Sequence, residues 1–159
     1  MVISIKIIKN AINRKNEIIT IFDSKNEIVG KLLINLKSKQ HQIIINDKTY
    51  QLTQEKWLCK VIENNKTIYH LKTDKFWGTI KIEELDKEIR GIFGFTWGTQ
   101  LRDAHKQTLL KIRTKNQIKN KGNYIIQLDK LNINPIEILM TLYGHIVGSI
   151  AKQNIILYT

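Results

Sequence analysis

Apolar and polar residues alternate with a period of two along most of the first 130 positions, and clusters of Asp, Asn, Ser and Lys interrupt the alternation every eight to twelve residues. A period of two is that of a strand with one covered face, and turn residues at that spacing belong to a meander in which neighbouring strands run antiparallel. The pattern predicts strands over residues 2–8, 17–22, 28–36, 42–45, 50–53, 56–62, 67–71, 76–82, 89–97, 108–114 and 123–128, with 155–158 as a last short strand. In the first, Ile3, Ile5 and Ile7 share a face. The expected fold class is therefore mainly β, with about twelve strands in one domain over residues 1–159.

One segment departs from the alternation. Between Pro135 and Ala151 the residues Ile136, Ile138, Leu139, Met140, Leu142, Tyr143, Ile146, Val147 and Ile150 cover nearly the whole circumference of a helix. A helix apolar on all sides has to be surrounded. The pattern predicts it over residues 135–151, with Asn134 as N-cap, Pro135 in the first helical position and Glu137 placed as in a capping box. Its length is short for a membrane span, and it carries Glu137 and His145. Gly144 and Gly148, four apart, make one small-residue face against which a strand wall can pack.

Three stretches repeat weakly. Asp23, Glu63 and Asp103 lie forty residues apart, each after an apolar-led pair and before a polar run and a new strand. A propeller would need more copies with a recurring blade signature. Turn chemistry is the simpler cause, because short polar side chains bond to nearby backbone groups.

A strand meander followed by one helix that is apolar all round resembles the Tubby C-terminal-like domains, in particular the small bacterial members of the LURP-one-related group. The residues that carry the resemblance are the hairpin from Ile21-Phe22-Asp23-Ser24-Lys25-Asn26 to Gly30, the later hairpin from Leu101 to Ile112, and the block Tyr124-Ile125-Ile126-Gln127-Leu128 leading into the apolar helix. The resemblance implies a closed antiparallel barrel threaded by a buried hydrophobic helix. That architecture has a physical logic, since closure removes sheet edges and a central helix is covered on every side. It also implies a binding function biased toward lipid or other anionic ligands, with no individual binding residue transferable by position.

Charge sharpens this expectation. The chain has 26 basic and 14 acidic residues, a formal net charge of +12. Of the basic residues 22 are Lys, and with 30 Ile and 14 Asn they are types encoded by A- and T-rich codons, so the total is a weaker signal than its placement. The net charge is +5 over residues 1–50, +1 over 51–100 and +6 over 101–159. Arg102, Lys106, Lys111, Arg113, Lys115, Lys119 and Lys121 crowd twenty positions that hold a single acid, Asp103. These seven form the candidate site: a basic patch that would attract the headgroups of anionic phospholipid or a membrane surface. The competing reading of the same residues is a solvated lysine-rich face. Nucleic acid is a less favoured partner, with Trp57, Phe76 or Trp77 as stacking surfaces, because the scarcity of Arg argues against base-edge reading, and a purely protein-interaction domain with no small ligand is the other alternative.

Catalytic chemistry is not legible. His41, His70, His105 and His145 are scattered singly, which offers no local metal-ligand pair and no base beside a nucleophile. The run from Gly91 to Gly98 lacks the Lys and Ser or Thr of a phosphate loop. Its alternating Phe93, Phe95 and Trp97 read as core packing. No enzyme, cofactor or metal is expected. The lone Cys59 and the absence of a leader-like apolar run at residues 1–8 lead to the expectation of a cytoplasmic protein, peripheral at the membrane if it binds lipid.

Overall fold

In the computed structural model the described residues are 4–13, 16–35, 37–92, 98–114, 124–130 and 132–157, with side chains described for 17–35, 37–92, 98–113, 124–130 and 132–148. Among them the chain forms twelve strands and one α-helix. The strands are β1 (Ser4–Asn13), β2 (Asn16–Phe22), β3 (Ile28–Asn35), β4 (Gln40–Ile45), β5 (Lys48–Glu55), β6 (Leu58–Glu63), β7 (Lys66–Thr73), β8 (Ile80–Ile82), β9 (Lys87–Gly91), β10 (Thr99–Arg102), β11 (Thr108–Thr114) and β12 (Tyr124–Leu128). A single 3-10 turn, Glu83–Leu85, joins β8 to β9, and α1 spans Pro135–Leu157. No helix among the described residues is long and apolar enough to cross a membrane.

The sheet is an antiparallel meander: every strand pairs with its neighbours in sequence. β1 pairs along its length with β2 and also with β12, through Ser4–Gln127 and Ile5–Ile126, so the hydrogen-bonded order returns to its start. Each strand turns alternate side chains inward. On β11 Leu110 and Ile112 are fully buried while Arg113 is exposed, and the inward row continues across the register as Ile80, Ile89, Leu101, Leu110 and Leu128.

Those inward rows meet the helix. All residues from Ile136 to Ile146 are buried, and α1 contacts β3 and β4 from one part of the meander and β9, β10 and β11 from another. Gly30 on β3 gives the helix room: a Cβ there would stand 2.6 Å from Leu139 Cδ1. Gly144 meets the wall expected of it, since a Cβ there would lie 3.1 Å from Ile89 Cγ2 and 3.2 Å from Ile80 Cδ1. The cap is partly as expected. Asn134 Oδ1 accepts the Ile136 N–H at 3.2 Å, but the Glu137 carboxylate does not reach back to the cap; it pairs with the Lys87 ammonium across the sheet.

Several boundaries differ from the sequence pattern. The helix runs to Leu157, beyond the expected end at 151, and the strand expected over 155–158 is helical up to that residue. The apolar run ends at Ala151, yet the Lys152, Gln153 and Asn154 that follow are all tolerated within a helix. The strand expected over 76–82 is only Ile80–Ile82, because residues 74–79 form a loop. The strand expected over 89–97 is β9 up to Gly91, and residues 93–97 lie outside the described residues. β10 was not expected as a separate strand; four residues are too few for alternation to register. The agreement on twelve strands thus conceals one strand missed and one wrongly drawn.

Candidate functional site

Successive turns of an antiparallel meander fall at opposite ends, which sorts the connections into two sets. At one end lie the turns β2–β3, β4–β5, β6–β7, β8–β9 and β10–β11, carrying Asp23, Asp47, Glu63, Glu83, Asp86 and Asp103 at or beside them. At the other lie β3–β4, β5–β6 and β7–β8, with Lys37, Lys39, Lys56, Trp57, Lys75, Phe76 and Trp77 and the acids Glu55 and Asp74.

At the acidic end most acids are bonded to their own turns or paired with cations, although the buried Glu88 Oε1 accepts no hydrogen bond from a described residue. Asp23 Oδ1 accepts the backbone N–H groups of Lys25 (2.8 Å) and Glu27 (2.9 Å), and Asp103 Oδ1 accepts those of His105 and Gln107, both at 2.9 Å. In both turns the fourth residue, Asn26 or Lys106, takes a positive φ (62° and 65°), and the register shifts just before the turn. Two of the three repeating acids are therefore the same hairpin device. Glu63 differs: it ends β6 ahead of Asn64 and Asn65 and pairs with Lys48 at 3.6 Å. Further ion pairs join Lys72 to Glu83 (3.1 Å) and Lys81 to Asp86 (3.7 Å).

The seven candidate cations separate accordingly. Arg102 and Lys106 converge on one carboxylate, Glu88, at 3.7 and 3.2 Å, and Arg102 Nε also donates to the Lys106 carbonyl. They belong to the neutralised end. Lys111 and Arg113 stand on the outer face of β11, and neither makes an ion pair with a described residue. Lys115, Lys119 and Lys121 lie outside the described residues.

The register supplies a cation that sequence reasoning missed. Arg90 on β9, Gln100 on β10, Lys111 on β11 and Gln127 on β12 stand in one cross-strand row, which sets the Arg90 and Lys111 backbones about 10 Å apart. Arg90 also makes no ion pair with a described residue. Arg90, Lys111 and Arg113 therefore form an outward strip with the Gln100 amide between Arg90 and Lys111. From Arg90 the strip runs into an open groove of about 660 Å³ whose lining includes Lys72, Asp74, Trp77, Lys81 and Glu88. Trp77 is 80% exposed, and Phe76 beside it is 92% exposed. Arg90 and Trp77 are thirteen positions apart, so only the pairing of β7, β8 and β9 could reveal that they share a groove.

Polar groups inside the sheet are satisfied and quiet. Burial pushes the Cys59 thiol up to about 11, against a smaller opposing effect of its hydrogen bond with Tyr143, so it stays protonated and is a poor nucleophile at neutral pH. The Tyr143 hydroxyl also bonds to Gln54 Oε1 at 3.2 Å. Burial lowers His145 to about 4, and its Nδ1 lies 2.7 Å from Thr99 Oγ1. Burial likewise lowers His41, whose Nδ1 accepts the Asn35 N–H at 3.2 Å beside a hollow of about 280 Å³ lined by residues of β2, β3, β4 and β5. No three metal-ligating side chains cluster among the described residues. Neither a family model, nor a curated protein, nor a solved structure matches the chain.

Proposed function

We propose that the chain is a Tubby-like domain, a closed barrel around α1, that acts without catalysis as a peripheral binding module for anionic phospholipid headgroups. The observation that carries this reading is the outward strip of Arg90, Lys111 and Arg113, three cations brought together by the register of β9, β10 and β11 with no ion pair to a described carboxylate, unlike Arg102 and Lys106, which share Glu88. An anionic surface attracts a nearby basic residue by about 1 kcal/mol, so three together amount to a partition roughly a hundredfold in favour of the anionic bilayer. The attraction is screened by salt. Closure of the barrel would serve this role by fixing the strand register, and with it the spacing of the strip.

Co-sedimentation of the protein with phosphatidylserine-containing vesicles, compared with pure phosphatidylcholine, is the direct test. The expected result is a strong preference for the anionic vesicles that weakens as salt is raised and is lost in a variant combining Arg90→Gln, Lys111→Gln and Arg113→Gln. Equal partition into both vesicles would refute the reading. The exposed aromatic residues favour a second one, a single-stranded nucleic-acid binder. It predicts saturable binding of an oligonucleotide with a steep dependence of log affinity on log salt.

A further inference from the structure

The proposed strip accounts for cations on the side of the sheet, but not for the aromatic side chains at its end. Trp57 occupies the β5–β6 turn and is 49% exposed; Phe76 and Trp77, at 92% and 80%, occupy the β7–β8 loop. The Thr73 N–H donates to the Trp57 carbonyl at 2.8 Å, tying the two connections together. Large apolar side chains scattered singly on a surface need no explanation, whereas three on two joined turns do.

The loop that presents them is well bonded. Asp74 Oδ1 accepts the N–H groups of Phe76 (2.8 Å) and Trp77 (3.0 Å), the Gly78 N–H reaches the Asp74 carbonyl at 2.9 Å, and the Asp74 N–H reaches the Thr79 carbonyl at 2.8 Å. Gly78 takes the positive φ, 69°, that closes the loop. The backbone is thus arranged to hold Phe76 and Trp77 outward before any partner arrives, which lowers the ordering cost of binding.

The charges around them select the partner. Lys75 Nζ lies 5.8 Å from the centre of the Trp57 ring, Lys56 precedes Trp57, and Lys37 and Lys39 occupy the β3–β4 turn at the same end. None of these four makes an ion pair with a described residue, and they outnumber the two acids at or beside these turns, Glu55 and Asp74, the latter already bonded to its own loop. Trp77 lines one side of the groove that reaches Arg90, whereas Phe76 stands outside it, almost wholly in solvent. A protruding Phe flanked by Trp and by lysines that make no ion pair with a described residue suits a layered partner, apolar within and anionic at its surface. Trp rings favour that boundary, and Lys stems can lie along apolar chains while their charged ends stay in the headgroup layer.

We infer that the end of the molecule bearing Trp57, Phe76 and Trp77 enters the interfacial layer of an anionic bilayer, with Phe76 deepest. This rests on the lipid-binding reading above and adds to it an orientation and a second, salt-resistant component of binding. The test uses the full chain with Phe76→Cys carrying an environment-sensitive fluorophore, and a control with Lys25→Cys at the acidic end. Buried Cys59 stays unlabelled in the folded protein. With phosphatidylserine-containing vesicles the label at position 76 is expected to shift to the blue and be quenched by brominated acyl chains, while the label at position 25 is unchanged. In unlabelled protein, Phe76→Ala is expected to weaken vesicle binding about tenfold at high salt, the factor that follows from withdrawing one aromatic side chain from water. Vesicle pelleting with an unshifted, unquenched label at position 76 would overturn the inference and leave headgroup binding by the strip intact. Absence of pelleting would overturn both. A response of the label to single-stranded DNA but not to vesicles would also overturn both, in favour of nucleic acid.

Discussion

At the acidic end, every turn described is locked by its own side chains or by ions across it: Asp23 and Asp103 fold their loops back, Glu88 gathers Arg102 and Lys106, and Lys87 reaches inward to Glu137. At the opposite end, the loop backbone is equally well bonded through Asp74, but Trp57, Phe76, Trp77 and their neighbouring lysines are left to solvent. The difference teaches that net charge is a poor guide to where a protein binds. Arg102 and Lys106 raise the total as much as Lys56 and Lys75 do, yet the former are answered within the molecule and the latter are not.

Acid should divide the two ends most sharply. His145, and more mildly His41, lie toward the aromatic end and are held neutral by burial. The unfolded chain takes up a proton at His145 below pH 6.5, which the folded chain refuses until about 4. Stability should therefore fall as pH drops through that window, by about 3 kcal/mol for His145 alone, and level off below it. Urea denaturation across the window measures the loss, and His145→Gln should flatten it. The acidic end should respond lower. Hydrogen bonds from the Gln107 N–H, and then the His105 N–H, hold the Asp103 carboxyl below its usual 3.8. Its contribution persists above that value and disappears as pH falls through the lowered one. Coincident loss of amide protection at both ends would break the comparison.

Replacing Lys87 by Met should cost about 2 kcal/mol, because the Glu137 carboxylate is then left nearly buried without its cation. Adding Glu137→Gln should restore much of it, as read from the shift in denaturation midpoint. Asp23→Ala is a smaller step, about 1 kcal/mol, since two backbone N–H groups lose their acceptor but can turn to water. Smallest of all, Phe76→Ala with Trp77→Ala should move stability by less than about 0.5 kcal/mol in the absence of a ligand, because the side chains bury little. A midpoint shift as large as that of Asp23→Ala would show that the tip is structural.

Much of the fold was legible because burial leaves a periodic trace. Ile19, Ile21, Leu32, Ile43, Leu52 and Ile112, all fully buried, stand at alternating positions within strands, and the helix is buried on every side from Ile136 to Ile146. Boundaries were less legible where position overrides composition, as at Lys152 within the helix and Phe76 outside any strand. The candidate site was legible only in part for a related reason. Lys111 and Arg113 could be assigned to one face of one strand, but that Glu88 would neutralise Arg102, and Arg90 would not be neutralised, depends on the register of β9 against β10. Cross-strand partners are set by turn lengths and bulges far from the residues they bring together.

The two-residue ladder between β1 and β12 has a kinetic consequence. Every other strand pair joins neighbours in the chain and can form hairpin by hairpin, whereas Ser4 and Ile5 must find Gln127 and Ile126 across nearly the full length of the polypeptide. That one encounter carries the largest loop-closure entropy, and it is repaid by the shortest ladder joining the strands other than by the helix they cover. The seam should accordingly be the last contact made in folding and the first released, and Ile5→Pro, at a residue that pairs with β12 but not with β2, should speed unfolding while leaving the folding rate of the hairpins nearly unchanged.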